Sequence, residues 1–285
     1  MEVKTFFHQD TFTFSYIAYD KSSKDAVLID PVMDYDPYSS KISYEFADEL
    51  LNFIMKERLI LHWIIETHIH ADHITSSQYI NNKFLNAKTA VSSGVLKVQD
   101  TFSHLYNLKE MKTDGSQFDR LFEDGETVDV GSLKLEFIHS PGHTPSCMCI
   151  LIGDVLFSGD SLFIPDFGTG RCDFPDGSAS DLYDTISKKL YTLPDSTKVY
   201  VGHDYQPGGR KLRYETSILE SKRENVQLSA ETKKEEFIEF RSSRDKLLKV
   251  PKLLFTSVQI NIQAGLLPEP EDNRTSYLKI PILIT

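Results

Sequence analysis

Four potential metal ligands crowd into six residues of this chain, His68-Ile69-His70-Ala71-Asp72-His73, and no other feature constrains the fold so tightly. They follow the apolar run Leu61 to Ile65, which reads as a buried strand, and precede a polar, helix-compatible run from about Ser76. A strand-to-helix turn can aim all four side chains at one volume, and imidazole and carboxylate are the ligands that zinc and non-haem iron take. Crowding three imidazoles and a carboxylate is costly unless a cation neutralises and orders them. The plainer alternative is a polar helix cap with solvated histidines. The strand before and the helix after favour the metal reading.

The flanking chain supplies alternating strands and helices. Phe12, Phe14 and Tyr16 alternate with Thr11, Thr13 and Ser15, and a turn at Asp20 to Lys24 leads into Ala26 to Ile29. A β-hairpin is therefore expected to open a sheet and end at Asp30-Pro31. Val32 to Ile42 is expected to be a polar loop. Within Tyr44 to Arg58 the apolar positions Phe46, Ala47, Leu50, Leu51 and Ile54 recur at helical spacing. Further strands are expected at Thr127 to Val130, Leu133 to Ile138, Met148 to Ile152, Val155 to Phe157 and Lys198 to Val201, with a helix over Leu182 to Leu193. After Gly209 the chain turns charged and helix-rich to about Lys249, then closes with Leu253 to Ile262 and a Pro-rich tail. Two successive batches of strands predict an α/β fold with two sheets face to face and helices outside, a four-layer αββα sandwich. Element order alone leaves other α/β arrangements open. With no repeat and no low-complexity linker, one domain is expected over residues 1–285, its core about 3–210 and 211–285 a helical extension and tail packed on it.

Three more segments place ligand-type residues just after expected strands: His139-Ser140-Pro141-Gly142-His143-Thr144, Phe157-Ser158-Gly159-Asp160 and Val201-Gly202-His203-Asp204-Tyr205. Pro141 and Gly142 force a tight turn that can swing His143 off the strand line. Each segment alone has a structural explanation as a capped turn or a satisfied histidine. Together they repeat one device, a strand end presenting a ligand, where functional loops of α/β folds gather.

Taken together, His68-x-His70-x-Asp72-His73, Pro141-Gly142-His143, Gly159-Asp160 and Gly202-His203 resemble the metallo-β-lactamase fold superfamily, over about Phe12 to Arg210. The resemblance implies one metal site at His68, His70 and His143 and a second at Asp72, His73 and His203, with Asp160 able to bridge. Gly168-Thr169-Gly170-Arg171-Cys172-Asp173-Phe174 and Gly202-His203-Asp204-Tyr205 are similar to the persulfide dioxygenases. That family implies one Fe(II) per chain held by His68, His143 and Asp160, with open positions for a substrate thiolate and O2. His70, Asp72, His73 and His203 would then orient ligands and order water, Asp72 and Tyr205 being the expected catalytic groups. Arg171, Cys172 and Tyr205 are the expected substrate-binding residues. An Arg171 salt bridge to Asp173 or Asp176 is an equally ordinary use of that side chain. Cys172 stands where the better-known dioxygenases commonly have Thr, and the added loop and helix before the metal motif and the extra segment through Thr285 resemble a bacterial sulfide-response branch.

The expected activity is oxidation of glutathione persulfide, or a related thiol, by O2 to sulfite and glutathione, in sulfide detoxification. One alternative is a binuclear zinc thioester hydrolase of the glyoxalase II type, with one or two Zn(II) and a metal-activated hydroxide. Another is a sulfur-relay or persulfide-binding protein using Cys172. A net charge of −11, with 42 acidic against 31 basic residues, repels a phosphate backbone and argues against nucleic-acid partners. No apolar run approaches the roughly 18 residues of a membrane span, and the N-terminus lacks a signal-peptide pattern, so a cytoplasmic location without membrane partners is expected. Three cysteines, Cys147, Cys149 and Cys172, fit a reducing compartment, and Cys147 and Cys149 are read as packing residues. The resemblance also allows a homodimer.

Overall fold

The structure is a computed structural model, described here for residues 1–282. The N-terminal half runs β1 (Glu2–His8), β2 (Thr13–Tyr19), β3 (Asp25–Ile29), β4 (Val32–Asp36), β5 (Lys41–Ser43), α1 (Glu45–Glu57), β6 (Ile60–Ile65) and β7 (Ile74–Thr75). It continues through α2 (Ser77–Asn81), β8 (Lys88–Ser92), α3 (Val95–Leu105) and β9 (Arg120–Phe122). The C-terminal half contains β10 (Thr127–Val130), β11 (Leu133–His139), β12 (Met148–Ile152), β13 (Val155–Gly159), α4 (Ala179–Lys188), β14 (Lys198–Val201) and β15 (Glu215–Ser217). Helices α5 (Ile218–Glu224), α6 (Lys234–Asp245) and α7 (Leu254–Asn261) follow.

Each half builds one six-stranded sheet, in the orders β1-β2-β3-β6-β8-β9 and β10-β11-β12-β13-β14-β15. The period-two alternation of the strands decides which residues meet between the sheets. On β2, Phe14, Tyr16 and Ala18 join Leu135, Phe137, Ile150 and Phe157 of the second sheet in one core. Ile17 and Tyr19, on the opposite face of the same strand, pack with Phe46, Leu50 and Ile54 of α1. Helix α4 covers the second sheet through Leu182 and Ile186. The expected four-layer sandwich of two sheets with helices outside is the fold the chain adopts.

Local departures have tertiary causes. The expected polar loop from Val32 is instead the hairpin β4–β5, because Met33 pairs with Ile74 of β7 and Val32 and Met33 are buried. Strand β1 adds to the sheet edge through seven residue pairs with β2, and the charged stretch after Gly209 contains β15, paired to β14. The helix expected over Leu182 to Leu193 starts earlier, at a Ser178 cap that accepts the Asp181 N–H (3.1 Å), and ends at Lys188 in a 3₁₀ turn. The tail was read through Thr285; positions 283–285 lie outside the described residues. Among the described residues no helix is long and apolar enough to cross a membrane.

Strand β6 is parallel to β3 and β8, and β13 is parallel to β14. Their C-terminal ends therefore carry the chain out at one edge of the sandwich, which is where the ligand-bearing turns lie.

Candidate metal centre

The loop leaving β6 separates its side chains by alternation. Ile69 and Ala71 turn into an apolar cluster with Val95 and Phe102 of α3 and Val258 of α7. That burial leaves His68, His70 and Asp72 facing the other way, into the site. Three further loops meet them there. At Gly142 the backbone takes φ of +143°, and a Cβ would lie 2.5 Å from the Leu182 backbone, so the turn that presents His143 requires glycine. Gly202, just before His203, passes so close to Asp160 that a Cβ would sit 2.7 Å from its Oδ1.

Seven side chains from four loops converge. Asp160 Oδ2 lies 3.5 Å from His143 Nε2 and 4.0 Å from His68 Nε2, while its Oδ1 lies 3.4 Å from His203 Nε2. His203 Nε2 is 3.3 Å from Asp72 Oδ2, and His73 Nδ1 is 3.4 Å from Asp72 Oδ1. His68, His143 and Asp160 form one group whose ligand atoms all lie within 4.8 Å of one another, and His70, Asp72 and His73 form another. All are buried except Asp72, which is partly exposed.

Hydrogen bonding leaves one set of atoms without partners. His143 Nδ1–H donates to the Arg171 carbonyl (2.6 Å) and His203 Nδ1–H to the Phe12 carbonyl (3.2 Å), which turns both Nε2 lone pairs inward. His70 uses Nε2 on Asp30 (3.1 Å) and faces Glu66 (3.2 Å). Among the buried atoms without a hydrogen-bond partner are five on the candidate ligands: His68 Nε2, His70 Nδ1, His73 Nε2, Asp72 Oδ2 and Asp160 Oδ1. Buried polar atoms are normally paired, so five orphans shared between these two ligand groups fit cation binding there. The donor set, imidazoles and carboxylates, suits zinc or iron.

The electrostatics favour the ligating forms of His68, His73 and Asp72, while the carboxylates beside His70 and His203 favour their charged forms as long as no cation is bound. Burial and the neighbouring imidazoles hold the His68 pKa well below the ordinary histidine value, and burial with His70 pushes His73 down to about 4. Burial acts against the charged form of Asp72, yet His203 and His73 outweigh it and lower its pKa. Burial pulls His70 down, but Asp30 and Glu66 outweigh it and raise it well above the usual range. His203 is raised in the same way by Asp160 and Asp72.

The remaining expected residues lie at the cavity or beside it. A cavity of about 1110 Å³ opens over His143 and Asp160 and is lined by Tyr205, Arg171, Phe167 and the β4–β5 hairpin. Tyr205 stacks on His203 with centroids 5.5 Å apart and lies 4.8 Å from Phe167. Burial, then Asp72 and Asp160, raise its phenol pKa, so it stays a neutral donor. Arg171 makes a two-pronged pair with Asp173 and donates to the Lys249 carbonyl (2.9 Å), so the salt bridge weighed from the sequence forms. Cys172 is half-buried, its Sγ 3.9 Å from the Gly170 carbonyl, and it does not line the cavity. His139 turns away to the Phe122 carbonyl (2.8 Å).

Sequence reasoning missed the outer supports. Asp30 accepts from the Thr67 N–H (2.7 Å), the Thr67 hydroxyl (2.8 Å) and His70. Glu66 accepts from the Thr75 hydroxyl. Such carboxylates fix the tautomer and aim of a ligand imidazole. The local signal for Asp30 is its place at a strand end directly before Pro31, where the structure gives it φ +50°.

A sandwich with this buried ligand cluster is a metal-dependent enzyme acting on a small molecule. The chain belongs to the metallo-β-lactamase superfamily, whose family model matches residues 9–203. It is 44 % identical to Glyoxylase B2 of Dictyostelium discoideum over 283 residues, covering 99 % of this chain and 97 % of that one. It is 30 % identical to the mitochondrial persulfide dioxygenase ETHE1 of Bos taurus over 271 residues, covering 94 % and 90 %. The crystal structure of ETHE1 from Myxococcus xanthus superposes with a TM-score of 0.75 at 33 % identity, covering 93 % of this chain and all of that one.

Proposed function

We propose that this chain is a non-haem iron dioxygenase that oxidises glutathione persulfide, or a related low-molecular-weight persulfide, with O2. The balanced reaction consumes persulfide, O2 and water and releases thiol and sulfite, the terminal sulfur being oxidised and O2 reduced. One observation carries the reading: His68, His143 and Asp160 form a compact group of two imidazoles and one carboxylate. Two histidines and one carboxylate on one face of an Fe(II) leave positions open for a substrate sulfur and O2. The likeness to persulfide dioxygenase ETHE1 supports it.

The chain's own groups have separable tasks. His143 is aimed by the Arg171 carbonyl and His203 by the Phe12 carbonyl. Asp72, kept ionised by His203 and His73 and partly exposed at the cavity wall, would orient a water towards the substrate as a hydrogen-bond acceptor. Tyr205, kept protonated, donates to the substrate. The segment after residue 210 belongs to the same functional unit, since α6 and α7 bring Arg241, Asp245 and Asn261 against the site loops.

A second reading, a binuclear zinc thioester hydrolase, is favoured by the unpaired Asp72 Oδ2, His73 Nε2 and Asp160 Oδ1, which suit a second ion. The likeness to Glyoxylase B2 points the same way. Metal analysis of protein purified without oxygen, coupled to O2 uptake on glutathione persulfide, decides between them. About one iron per chain with rapid uptake supports the dioxygenase. Two zincs, no uptake and S-lactoylglutathione cleavage overturn it.

Cys172 has no place in this scheme. Burial pushes its thiol up to about 12, so thiolate is scarce near neutral pH. The variant Cys172→Ser is expected to keep turnover within about twofold. Iodoacetamide should leave Cys172 of the folded protein unmodified below about pH 8. Fast alkylation there, or an inactive serine variant, would restore the sulfur-relay alternative.

A further inference from the structure

We propose that Asn261 on α7 is a positioning residue for the metal-binding loop, its carboxamide setting the backbone that aims His70, Asp72 and His73. This rests on reading His68 to His73 as metal-binding. Nδ2 of Asn261 donates to the carbonyls of His70 (2.9 Å) and His73 (2.8 Å), and its Oδ1 accepts the Thr75 N–H (3.0 Å). All three partners belong to one short stretch, 186 to 191 positions earlier in the chain. From His68 to His73 that stretch forms no helix or strand, so it cannot hold its own shape by ladder bonds.

The chemistry of the contact needs an amide. One nitrogen with two N–H groups answers two carbonyls while the oxygen answers an N–H. An aspartate at this place could only accept, and would face both carbonyls with negative charge. An apolar residue would leave three buried backbone groups unpaired, each at a cost. Around the amide, apolar contacts seat the helix. Val258 and Ile262 share a cluster with Ile69 and Ala71, and Ile260 shares one with Ile74 and Met33. Gly265 lies against Thr75 so closely that a Cβ would be 3.1 Å from its methyl group. Apolar burial is non-directional and brings the helix to the loop, whereas the carboxamide selects the loop conformation. Gln259, two residues earlier on the same helix, holds the tail instead: it donates to the Lys279 carbonyl (2.9 Å) and accepts the Lys279 N–H (3.0 Å).

The test uses full-length protein loaded with Co(II), whose absorption bands report coordination, and follows its release to a coloured chelator. Asn261→Ala and Asn261→Asp are expected to release Co(II) about 10 to 100 times faster than wild type, with altered bands. Gln259→Ala is expected to match wild type, because it loosens the tail without touching the loop. Equal acceleration in Gln259→Ala and Asn261→Ala would show that helix docking alone matters and would overturn the proposal, as would wild-type release from Asn261→Ala. Should the alanine variant not fold, Asn261→Ser retains one donor and is expected to fall between wild type and Asn261→Asp; wild-type release from it overturns the proposal. A wild-type protein that binds no Co(II) would instead remove the metal reading of the loop itself.

Discussion

Asp160→Ala is expected to lose the bound metal and to lower turnover by more than about 100-fold, beyond the range that outer-sphere substitutions reach. Asp160 is the one carboxylate that faces both halves of the site, with Oδ2 near His143 and His68 and Oδ1 near His203. Without it the group formed with His68 and His143 has no anionic ligand, so a divalent cation is held by neutral imidazoles alone. The side chain contributes nothing to the apolar core, and the variant should fold, with an unchanged far-ultraviolet dichroism spectrum. Metal content and O2 uptake measured on that folded variant are the check. A companion His203→Ala separates the two functional readings. One iron per chain is retained if His203 only orients water, whereas one of two zincs is lost if it binds metal. A folded Asp160→Ala protein with full metal and full turnover would end the assignment of this site.

Arg241→Ala should be the most destabilising of these single changes, costing about 3 to 5 kcal/mol. Arg241 has no exposed surface, although it lies on a helix rich in solvent-facing charge. Its guanidinium pairs with Asp245, four residues on, and donates to Gln227 Oε1 (2.8 Å) and the Thr169 carbonyl (3.4 Å). Asp245 Oδ2 also accepts the Cys172 N–H (2.8 Å). Truncating the arginine leaves that buried carboxylate without its counter-ion, which is the expensive way to break such a pair. Thermal unfolding should fall by roughly 10 °C. The double variant Arg241→Met with Asp245→Leu should regain most of the loss, since apolar replacement of both partners removes the stranded charge. Turnover is expected to fall further than stability, because Thr169 and Cys172 flank the Arg171 carbonyl that orients His143. A single variant melting within about 1 kcal/mol of wild type would mean that water reaches Asp245 and the pair is not truly buried.

The ligand residues were legible one segment at a time because each follows a strand of recognisable period. Leu61 to Ile65, Leu133 to Ile138 and Lys198 to Val201 read as strands from their apolar spacing, and the structure has strands there. Strands that depend on a distant partner did not read so. Val32 to Asp36 carries two aspartates and a tyrosine, and it becomes extended because β7 pairs with it and its Asp34 carboxylate accepts the Phe46 N–H of α1 (2.9 Å). Two supports of the site were hidden for the same reason. Asp30 and Asn261 lie 40 and 191 positions from His70, and only folding brings them to its loop, whereas Glu66 is local, four residues before His70.

Local pattern therefore determined the alternating strand faces, the turns that must be tight at Gly142, and the residue types that a divalent cation would take. These are short-range consequences of backbone geometry and side-chain chemistry. Tertiary structure alone decided the atoms: which nitrogen of each imidazole faces inward, which carboxylate oxygens stay unpaired, and that a C-terminal amide grips the metal loop. Those choices depend on hydrogen-bond partners far away in the chain, and such contacts have no period for a sequence to display.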